Sequence, residues 1–342
     1  MQTLVLTTPG KIIATETTAP GDPGAGEVRV QVHRIGVCGT DLHAFIGNQP
    51  FFTYPRILGH ELGVEVMAVG AGVENVRRGD RCAVEPYLNC GRCIACTRGK
   101  PNCCRTLEVL GVHTDGGQRS QILLPATKLH ASAKLSFDQL ALVETLGIGA
   151  HAVGRAQLSA GETVAVIGAG PIGLAVMQFA LAAGARVIAI DVSPSRLAFC
   201  RERLGVSEQL DARTGEIVAQ LERLTDGQLP TAVFDATGSV KSMNAAFNYV
   251  AQGGRLILVG LVQDDVTFND PDFHRRELTV LSSRNALPAE FTRIIKLIEA
   301  GEIDTGPWIT HRAPLSEVPA RFASWTKPET GVIKAMIELP EN

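Results

Sequence analysis

At about 150 residues per domain, a chain of 342 residues is expected to form two domains. Hydrophobic residues make up 45% and charged residues 20% of the chain, a balance that excludes general disorder. The formal net charge of −3 provides no long-range attraction to nucleic acid or to an anionic membrane, so we expect neither as a partner. The eight cysteines could form disulfides, bind metal or lie scattered in the core.

The first residues, Met1 to Leu6, lack a basic leader and a long apolar stretch with a cleavage site, so we expect no signal peptide. The most apolar segment, Ile172 to Ala185, is too short to span a bilayer and contains Gln178 and two glycines. We therefore expect a cytoplasmic protein. Because the cytoplasm keeps thiols reduced, the cysteines are expected to bind metal or act in catalysis rather than form disulfides.

The first 150 residues are predicted to form mainly short strands separated by glycine turns. In residues 27–32, polar and apolar side chains alternate as they do in a half-buried strand. Two further strands are predicted at residues 62–69 and 81–84, which are bordered by turns that contain glycine. We therefore expect a β-rich region at the start of the chain.

After about residue 158, strands and helices are predicted to alternate. Because the strands are apolar on both faces, they predict an α/β domain with a parallel sheet that is covered by helices. The tail is predicted to begin with a helix and to end in a strand. The strands are expected at residues 163–167, 186–190, 232–235, 255–259 and 331–339, and the helices at 171–183, 194–204, 240–250 and 288–300.

Residues 168–173 fit the pattern G-x-G-x-x-G, with its glycines at Gly168, Gly170 and Gly173. A predicted strand precedes the pattern and a predicted helix follows it, as in a dinucleotide-binding unit. The first glycine permits a tight turn, the second lets the backbone approach a pyrophosphate, and the third allows close packing of helix and strand. Pro171 and Ile172 begin the helix, whose free N–H groups would face the phosphates. A tight turn without a ligand is the alternative.

Asp191 ends the strand after this turn, close to the expected offset of about 20 positions from the first glycine. A carboxylate there can accept hydrogen bonds from the ribose hydroxyls and repels a 2′-phosphate, so NAD is favoured over NADP. Asp191 could also cap the helix that follows it. Arg196 complicates the choice of cofactor, because a nearby arginine could accommodate the extra phosphate of NADP.

Four cysteines share one loop with the spacing C-x2-C-x2-C-x7-C, namely Cys90, Cys93, Cys96 and Cys104. Four thiolates can surround one metal ion tetrahedrally and close the site to water, which is typical of structural zinc. An iron–sulfur cluster is the metal alternative. Cys103 lies next to Cys104, so the spacing alone leaves the fourth ligand ambiguous.

A second candidate site combines Cys38 with the segment that contains His60 and Glu61. A thiolate, an imidazole and a carboxylate on separate turns suit a zinc ion with one open position, the arrangement of a catalytic site. Taken singly, Cys38 and His60 could be ordinary core residues. Their position upstream of the four-cysteine loop and the dinucleotide pattern favours the catalytic interpretation.

Together these motifs resemble those of the medium-chain, zinc-dependent alcohol and polyol dehydrogenases, the family of sorbitol and threonine dehydrogenases. The match extends from residues 36–43 through 59–61 and the cysteine loop to residues 168–173. The resemblance implies a GroES-like catalytic domain, residues 1–150 and 286–342, with a Rossmann domain, residues 151–285, inserted between these segments. The active site would lie in the cleft between the domains. The cysteine spacing of the family selects Cys104 as the fourth ligand of a structural zinc.

By motif position, the resemblance assigns Cys38 and His60 to a catalytic zinc, together with Glu61, which either ligates the metal or exchanges with water. Glu144 matches a further carboxylate ligand of the polyol and threonine branches. The next residue is often proline in the family and is Thr145 here. Two zinc ions per chain and NAD are therefore the expected cofactors.

The resemblance also implies a mechanism. Zinc would stabilise the substrate alkoxide, Thr40 would take the hydroxyl proton, and His43 would relay that proton to solvent. The alkoxide would then give hydride to a nicotinamide ring held within about 3.5 Å. Asp41 is expected to orient His60. Further cofactor contacts are assigned to Thr237, Val259, Gly260 and Asn285.

The expected reaction is the oxidation of a secondary alcohol in a polyol, a sugar or an aldonate. Residues 111–117 resemble a loop that borders the substrate cleft in the sugar-acid and polyol branch, and His113, Arg284 and Asn285 are polar candidates for that cleft. The alternatives are a dehydrogenase of an amino alcohol or a simple alcohol, and a zinc-binding structural or binding protein without catalysis. The resemblance further implies a homotetramer or a homodimer.

Overall fold

The computed structural model describes residues 1–340, and contacts between residues divide the chain into two compact units. The first unit consists of Met1–Thr145 and the segment that begins at Leu287, and the second unit consists of Leu146–Ala286. The C-terminal segment therefore belongs to the unit that the N-terminal residues form. The boundaries expected for the two domains, after residues 150 and 285, stay a prediction.

Strands dominate the beginning of the chain, helices and strands alternate in its middle, and the tail adds two of each. In chain order the elements are β1 (Gln2–Thr8), β2 (Lys11–Glu16), β3 (Glu27–Val37), α1 (Gly39–Ile46), β4 (Glu61–Val69), β5 (Arg81–Val84), β6 (Tyr87–Leu88), α2 (Ile94–Thr97), β7 (Glu108–Val109), β8 (Gln121–Pro125), β9 (Leu129–Ala131), α3 (Phe137–Ala156), β10 (Thr163–Ile167), α4 (Pro171–Ala182), β11 (Arg186–Asp191), α5 (Pro194–Leu204), β12 (Glu208–Asp211), α6 (Ile217–Leu224), β13 (Ala232–Asp235), α7 (Val240–Ala246), β14 (Arg255–Leu258), α8 (Asp270–Arg275), β15 (Thr279–Ser282), α9 (Pro288–Glu299), β16 (Ile309–Pro314), α10 (Val318–Trp325) and β17 (Lys334–Glu338).

A seven-stranded sheet forms the centre of the first unit. Its order is β16-β17-β3-β4-β5-β9, and β8 also pairs with β3. The strand β3 is antiparallel to both β17 and β4, with Val37 opposite Ala335 and Gly36 opposite Glu61. Apolar side chains such as Ile35 pack in the core of this unit. The C-terminal strand β17 is thus an integral part of the sheet that carries the ends of β3 and β4.

The second unit contains the predicted parallel sheet. Its six strands have the order β12-β11-β10-β13-β14-β15, and every neighbouring pair is parallel. The four strands predicted in this region agree with the observed bounds to within one residue. The edge strands β12 and β15 were not predicted, because neither forms an apolar run. Among the residues of these two strands, only Leu210 is buried.

The 20-residue helix α3 begins within the first 150 residues, where mainly short strands and turns are predicted, and this helix was not predicted. All residues from 140 to 147 are buried. A helix that is surrounded by protein on all sides lacks the one-sided apolar periodicity by which a surface helix is recognised. Burial on every face therefore concealed this helix in the sequence.

Two smaller predictions also differ from the structure. The helix expected over residues 240–250 ends at Ala246 and continues as a 3-10 turn over Phe247–Tyr249. The strand expected from residue 331 begins only at Lys334, because Gly331 has a φ of +67° and ends a preceding turn. Across residues 1–340, no helix combines the length and the apolar character that a membrane crossing needs.

Phe234 tests the packing of the second unit, because its ring is 0% exposed in the central strand β13. We expect Phe234→Ala to destabilise this unit by about 3–5 kcal/mol, the usual cost of removing a buried aromatic ring. Leu261→Ala, at a side chain that is 62% exposed, is the control and should change stability by less than about 0.5 kcal/mol. Thermal and urea unfolding would measure both, and equal losses would contradict the packing described here.

Candidate active site and metal centres

The residues predicted to hold the catalytic zinc meet where β3 ends and β4 begins. Cys38 directly follows β3, His60 directly precedes β4, and Glu61 is the first residue of β4. Because the two strands are antiparallel neighbours, the end of one lies beside the start of the other. One ligand atom from each residue lies within 4.8 Å of the other two, and we call this group the catalytic cluster.

Gly36 makes room for the catalytic cluster. A Cβ atom at this position would lie 2.0 Å from Glu61 Oε2 and 2.9 Å from Glu61 Cβ. Both contacts are far shorter than van der Waals contact, so the carboxylate occupies the space that a side chain at Gly36 would fill. Gly36 is therefore needed at this position because any side chain there would collide with Glu61.

Asp41 lies beside His60 on the first turn of α1. One carboxylate oxygen of Asp41, Oδ2, accepts a hydrogen bond from the Cys38 N–H at 3.0 Å, and the other, Oδ1, lies 3.7 Å from His60 Nδ1. With Nδ1 turned toward Asp41, the second ring nitrogen of His60 is the one available to a metal ion. The Asp41 and His60 side chains are both buried, and neither Oδ1 nor Nδ1 has a hydrogen-bond partner.

The charges of the catalytic cluster favour a bound cation. Burial raises the pKa of Asp41 above its ordinary value, although His60 and the Cys38 N–H lower it. Burial lowers the pKa of His60, but the negative charges of Asp41 and Cys38 outweigh it and hold that pKa well above the ordinary value. The thiolate, imidazole and carboxylate donors also match the preferences of zinc, so the residues present fit this metal.

Glu144 lies outside the group of three whose ligand atoms are mutually within 4.8 Å. Its Oε1 accepts a hydrogen bond of 2.5 Å from the Tyr87 hydroxyl, and both side chains are buried. Burial, followed by the nearby Glu144 charge, raises the pKa of Tyr87 well above its ordinary value, so the phenol keeps its proton and donates it. The role of Glu144 as a zinc ligand stays a prediction.

Lys334 belongs to the site, although this residue was not predicted from the sequence. Its ammonium group lies 2.6 Å from Glu61 Oε1 and forms a buried ion pair with this carboxylate. A usable signal was present, because Lys334 is the one charged residue in the apolar run of residues 332–337. Tyr87 was missed as well, and no local pattern marks it.

The two residues expected to carry the proton lie on α1. Thr40 is half-buried in the first turn, two residues after Cys38. His43 is exposed in the last turn, and its Nδ1 lies 2.9 Å from Asn48 Oδ1. Thr40 is thus two residues from a member of the cluster in sequence, and His43 is in contact with solvent.

The four cysteines expected to bind structural zinc form a second cluster, which we call the cysteine cluster. Their sulfur atoms lie within 4.8 Å of one another. The group contains Cys104, whereas Cys103 is exposed and lies outside it. Hydrogen bonds from backbone N–H groups, of which that of Cys96 has the largest effect, lower the pKa of Cys93 to about 6. This favours the thiolate that a metal needs. The members of the cluster are Cys90, Cys93, Cys96 and Cys104.

A polar network supports the cysteine cluster from one side. Asn89 Nδ2 donates to Cys96 Sγ at 3.7 Å, and Asn89 Oδ1 accepts from Lys128 Nζ at 2.9 Å. The same Lys128 ammonium donates to Glu85 Oε1 at 2.5 Å, and Lys128 is only 8% exposed. A buried salt bridge thus orients the amide that donates to a candidate metal ligand.

The dinucleotide pattern forms the turn between β10 and α4. Gly168 has a φ of +96°, in the left-handed region that favours glycine. A Cβ atom on Gly173 would lie 1.6 Å from the Gly168 carbonyl oxygen, so the helix can approach the turn only at a glycine. Pro171 and Ile172 occupy the first turn of α4, as predicted from the sequence.

Asp191 ends β11 and lies beside this turn. Its Oδ2 accepts from the Ala169 N–H at 2.6 Å, and its Oδ1 accepts from the Ser193 N–H at 2.7 Å. The helix cap itself is the Ser193 side chain, which accepts from the Arg196 N–H. Arg196 Nη1 lies 3.8 Å from the position that a Cβ on Gly170 would occupy, so its guanidinium group is close to the glycine turn.

The remaining candidate cofactor residues follow the later strands of the same sheet. The Thr237 hydroxyl donates to Asp235 Oδ1 at 2.6 Å. Val259 and Gly260 directly follow β14, and their N–H groups donate to the Asp235 carbonyl oxygen. Asn285 has a φ of +54°, and its Nδ2 is buried without a hydrogen-bond partner.

Two residues considered for the substrate cleft have defined surroundings. His113 Nδ1 accepts from the Val109 N–H at 3.1 Å, which ties its ring to the backbone of its own loop. Arg284 is exposed. Neither observation assigns these residues to a substrate, and their role in the cleft stays a prediction.

The network beside the cysteine cluster generates a prediction about metal retention. Asn89→Ala removes the donor to Cys96, and such outer-shell changes typically weaken metal binding about 10–100-fold. We expect the variant to lose this zinc faster to a chromophoric chelator, measured in a Cys38→Ser background that leaves one zinc site. Cys103→Ser, at an exposed thiol outside the cluster, is the control and should retain zinc normally. Equal release from the two variants would show that Asn89 does not support the metal.

Two family descriptions match successive parts of the chain. Residues 24–134 match the alcohol dehydrogenase GroES-like domain, and residues 171–300 match the zinc-binding dehydrogenase family. The first range contains both metal-ligand clusters, apart from the candidate ligand Glu144. The second range begins at the first residue of α4, directly after the glycine turn.

The chain is also similar to characterised relatives over most of its length. It is 38% identical over 322 residues to an L-galactonate-5-dehydrogenase of Escherichia coli K12, covering 94% of both chains. It is 32% identical to an L-idonate 5-dehydrogenase of Vitis vinifera, covering 92% of this chain and 89% of the relative. An alcohol dehydrogenase of Escherichia coli CFT073, solved with NADH, superimposes with a TM-score of 0.91 at 31% identity and 99% coverage of both chains. The protein is therefore a member of the zinc-binding, medium-chain alcohol and polyol dehydrogenase family.

Proposed function

We propose that the protein oxidises a secondary alcohol of a polyol, a sugar or an aldonate and transfers the hydride to NAD. The catalytic cluster carries this proposal, because a half-buried cysteine, a buried imidazole and a buried carboxylate with ligand atoms within 4.8 Å of one another suit a zinc ion with an open position. The two relatives named above act on aldonates at carbon 5, a secondary alcohol, which supports this substrate class. Simple alcohols and amino alcohols remain the competing substrates for the test.

Cys38, His60 and Glu61 would hold the catalytic zinc, and Cys90, Cys93, Cys96 and Cys104 the structural zinc. A bound zinc ion supplies Lewis acidity, which lowers the pKa of a coordinated hydroxyl group. Asp41, 3.7 Å from His60 Nδ1, fixes the orientation of the imidazole ring. Glu144 stays in the proposal as a further carboxylate ligand, with its Oε1 held by Tyr87.

Proton removal is assigned to α1. The Thr40 hydroxyl accepts the substrate proton through a hydrogen bond, an assignment supported by its place in the first turn of the helix, two residues after Cys38. His43 passes the proton to water, since its side chain is exposed and its Nδ1 is fixed by Asn48. The helix thus begins directly after the ligand Cys38 and carries a solvent-exposed imidazole in its last turn.

The cofactor is assigned to the second unit, with the pyrophosphate at the N-terminus of α4. Asp191 favours NAD, because its carboxylate is fixed by two backbone N–H groups and each oxygen keeps a lone pair for a ribose hydroxyl. Arg196 lies over the glycine turn, where its guanidinium group would pair with the pyrophosphate of either cofactor. Contacts with the remainder of the cofactor are assigned to Thr237, Val259, Gly260 and Asn285.

A homodimer or homotetramer is part of the proposal. In the part of the chain that the structure describes, β15 pairs with β14 alone, so one edge of β15 has no partner strand. Its residues are mostly exposed, including Val280 at 40%. An unpaired edge with an apolar side chain is a surface that a second copy of the strand can extend.

A cytoplasmic location is also proposed. All eight cysteines are free, and five of them belong to the two metal-ligand clusters. The thiolates of both metal clusters need a compartment that keeps cysteine reduced. Metal sites made of five cysteines are therefore consistent with the cytoplasm.

The reaction is tested with purified protein on aldonates, polyols, simple primary alcohols and amino alcohols, each with NAD and with NADP. We expect turnover of the first two groups with NAD and two zinc ions per chain. Cys38→Ser should retain one zinc and lose roughly 10³-fold or more in turnover, since Lewis-acid catalysis contributes several kcal/mol. Cys103→Ser is the matched control with normal zinc and turnover. Turnover of simple primary alcohols alone would contradict the proposed substrate class.

The oligomer is tested at β15 by light scattering coupled to size-exclusion chromatography. The wild-type protein should have the mass of two or four chains. Val280→Lys should shift it toward a smaller assembly, because a lysine on an edge strand opposes pairing with another strand. Val192→Lys, at a side chain of the same unit that is 61% exposed, is the control and should leave the mass unchanged. A wild-type monomer would overturn this part of the proposal.

A further inference from the structure

Lys334 lies beside the catalytic cluster although it is only 2% exposed. Its ammonium group donates to both carboxylate oxygens of Glu61, at 2.6 and 2.7 Å. Its other two acceptors are the Val37 carbonyl oxygen at 3.3 Å and the Thr145 hydroxyl oxygen at 3.2 Å. An ammonium group has three N–H donors, so these contacts use its full hydrogen-bonding capacity.

Three neighbouring strands fix this arrangement. Lys334 is the first residue of β17, Val37 is the last residue of β3, and Glu61 is the first residue of β4. Since β3 lies between the other two strands, the Glu61 side chain reaches across β3, over Gly36, to meet Lys334. Sheet pairing therefore fixes the backbone positions from which the Glu61 and Lys334 side chains meet.

The Glu61 carboxylate can interact with two different cations, a metal ion and the Lys334 ammonium group. It belongs to the group of three with ligand atoms within 4.8 Å, and it is also bonded to Lys334 through both oxygens. Hydrogen bonds between two charged groups are roughly twice as strong as neutral ones. Electron density that Lys334 draws from the carboxylate is lost to a metal ion, so the ion pair and metal ligation oppose each other.

We propose that Lys334 is a positioning residue that holds Glu61 back from the catalytic zinc, so that Glu61 is a weak ligand and one coordination position stays exchangeable. The inference rests on the proposed catalytic zinc site and adds to it the residue that sets the strength of one ligand. A substrate hydroxyl can occupy the metal only if a position is available, and a restrained Glu61 leaves that position accessible.

Thr145 provides a further hydrogen-bond acceptor for the Lys334 ammonium group. It is 0% exposed inside α3, and its hydroxyl oxygen accepts from the ammonium group at 3.2 Å. The proline that is frequent at this position in the family has no side-chain oxygen and could not make this contact. The threonine in this chain therefore adds an acceptor that fixes Lys334 opposite Glu61.

The test measures how fast the catalytic zinc passes to a chromophoric chelator, and it records the visible absorption of the cobalt-substituted protein. We expect Thr145→Val to slow zinc release about threefold to fivefold, the effect of one hydrogen bond, because Lys334 then restrains Glu61 less. Lys334→Gln should slow release about tenfold or more and change the cobalt spectrum, as a firmly bound carboxylate would. Thr145→Ser keeps the acceptor and should behave as the wild type does.

Two controls separate this effect from general disturbance of the fold. Thr3→Val removes the hydroxyl of another fully buried threonine in the first unit and should leave zinc release unchanged. In a Glu61→Gln background, Thr145→Val and Lys334→Gln should no longer slow release, since the charged carboxylate is gone. If Lys334→Gln does not fold, the Thr145 series alone decides.

The inference is overturned if Thr145→Val releases zinc at the wild-type rate, or if Lys334→Gln accelerates release equally with Glu61 and with Glu61→Gln. The second result would mean that Lys334 serves only to support the fold. In both cases the wild-type protein would still contain two zinc ions and turn over substrate. A wild-type protein with a single zinc ion, or without turnover, would instead contradict the proposed function itself.

Discussion

Pairing of β17 with β3 is the constraint on which the first unit depends, because it brings the last strand of the chain to the residues that surround Cys38. Without this pairing, Lys334 would not reach Glu61, and a buried carboxylate would lack its cationic partner. An unpaired buried charge is strongly destabilising, whereas a paired and fully hydrogen-bonded one is tolerated. This explains why the C-terminal segment has to return to the first unit after the second unit is complete.

Both clusters bring together several side chains that carry or can acquire a negative charge. Three carboxylates, Asp41, Glu61 and Glu144, are buried around Cys38 and His60, and four thiols converge in the cysteine loop. A lysine lies near each of the two clusters. Lys334 forms an ion pair with Glu61 of the catalytic cluster, and Lys128 is linked to the cysteine cluster through its hydrogen bond to Asn89. In this chain, each of the two metal-ligand clusters therefore has a buried ammonium group in its surroundings.

The parts of the site that the sequence predicted are those with a local signature. Four thiols in one loop, the glycine turn of residues 168–173 and the Cys38 motif each depend on short spacings, so their geometry can be anticipated without the fold. The contact of Lys334 with Glu61 joins residues 273 positions apart, and that of Tyr87 with Glu144 joins residues 57 apart. Such contacts depend on strand order, which no local pattern encodes. Helix α3 was missed for a related reason, since burial on all sides removes the periodicity that marks a helix.

The short segment from Glu85 to Asn89 serves two sites at once. Glu85 and Asn89 both bind Lys128 beside the cysteine cluster, while Tyr87 between them holds Glu144 near the catalytic cluster. One short backbone stretch therefore contacts both neighbourhoods, so a change in this segment affects both. A chimera that transplants only the cysteine loop from a relative would separate the loop from its lysine, so workable crossover points lie before residue 85 and after residue 128.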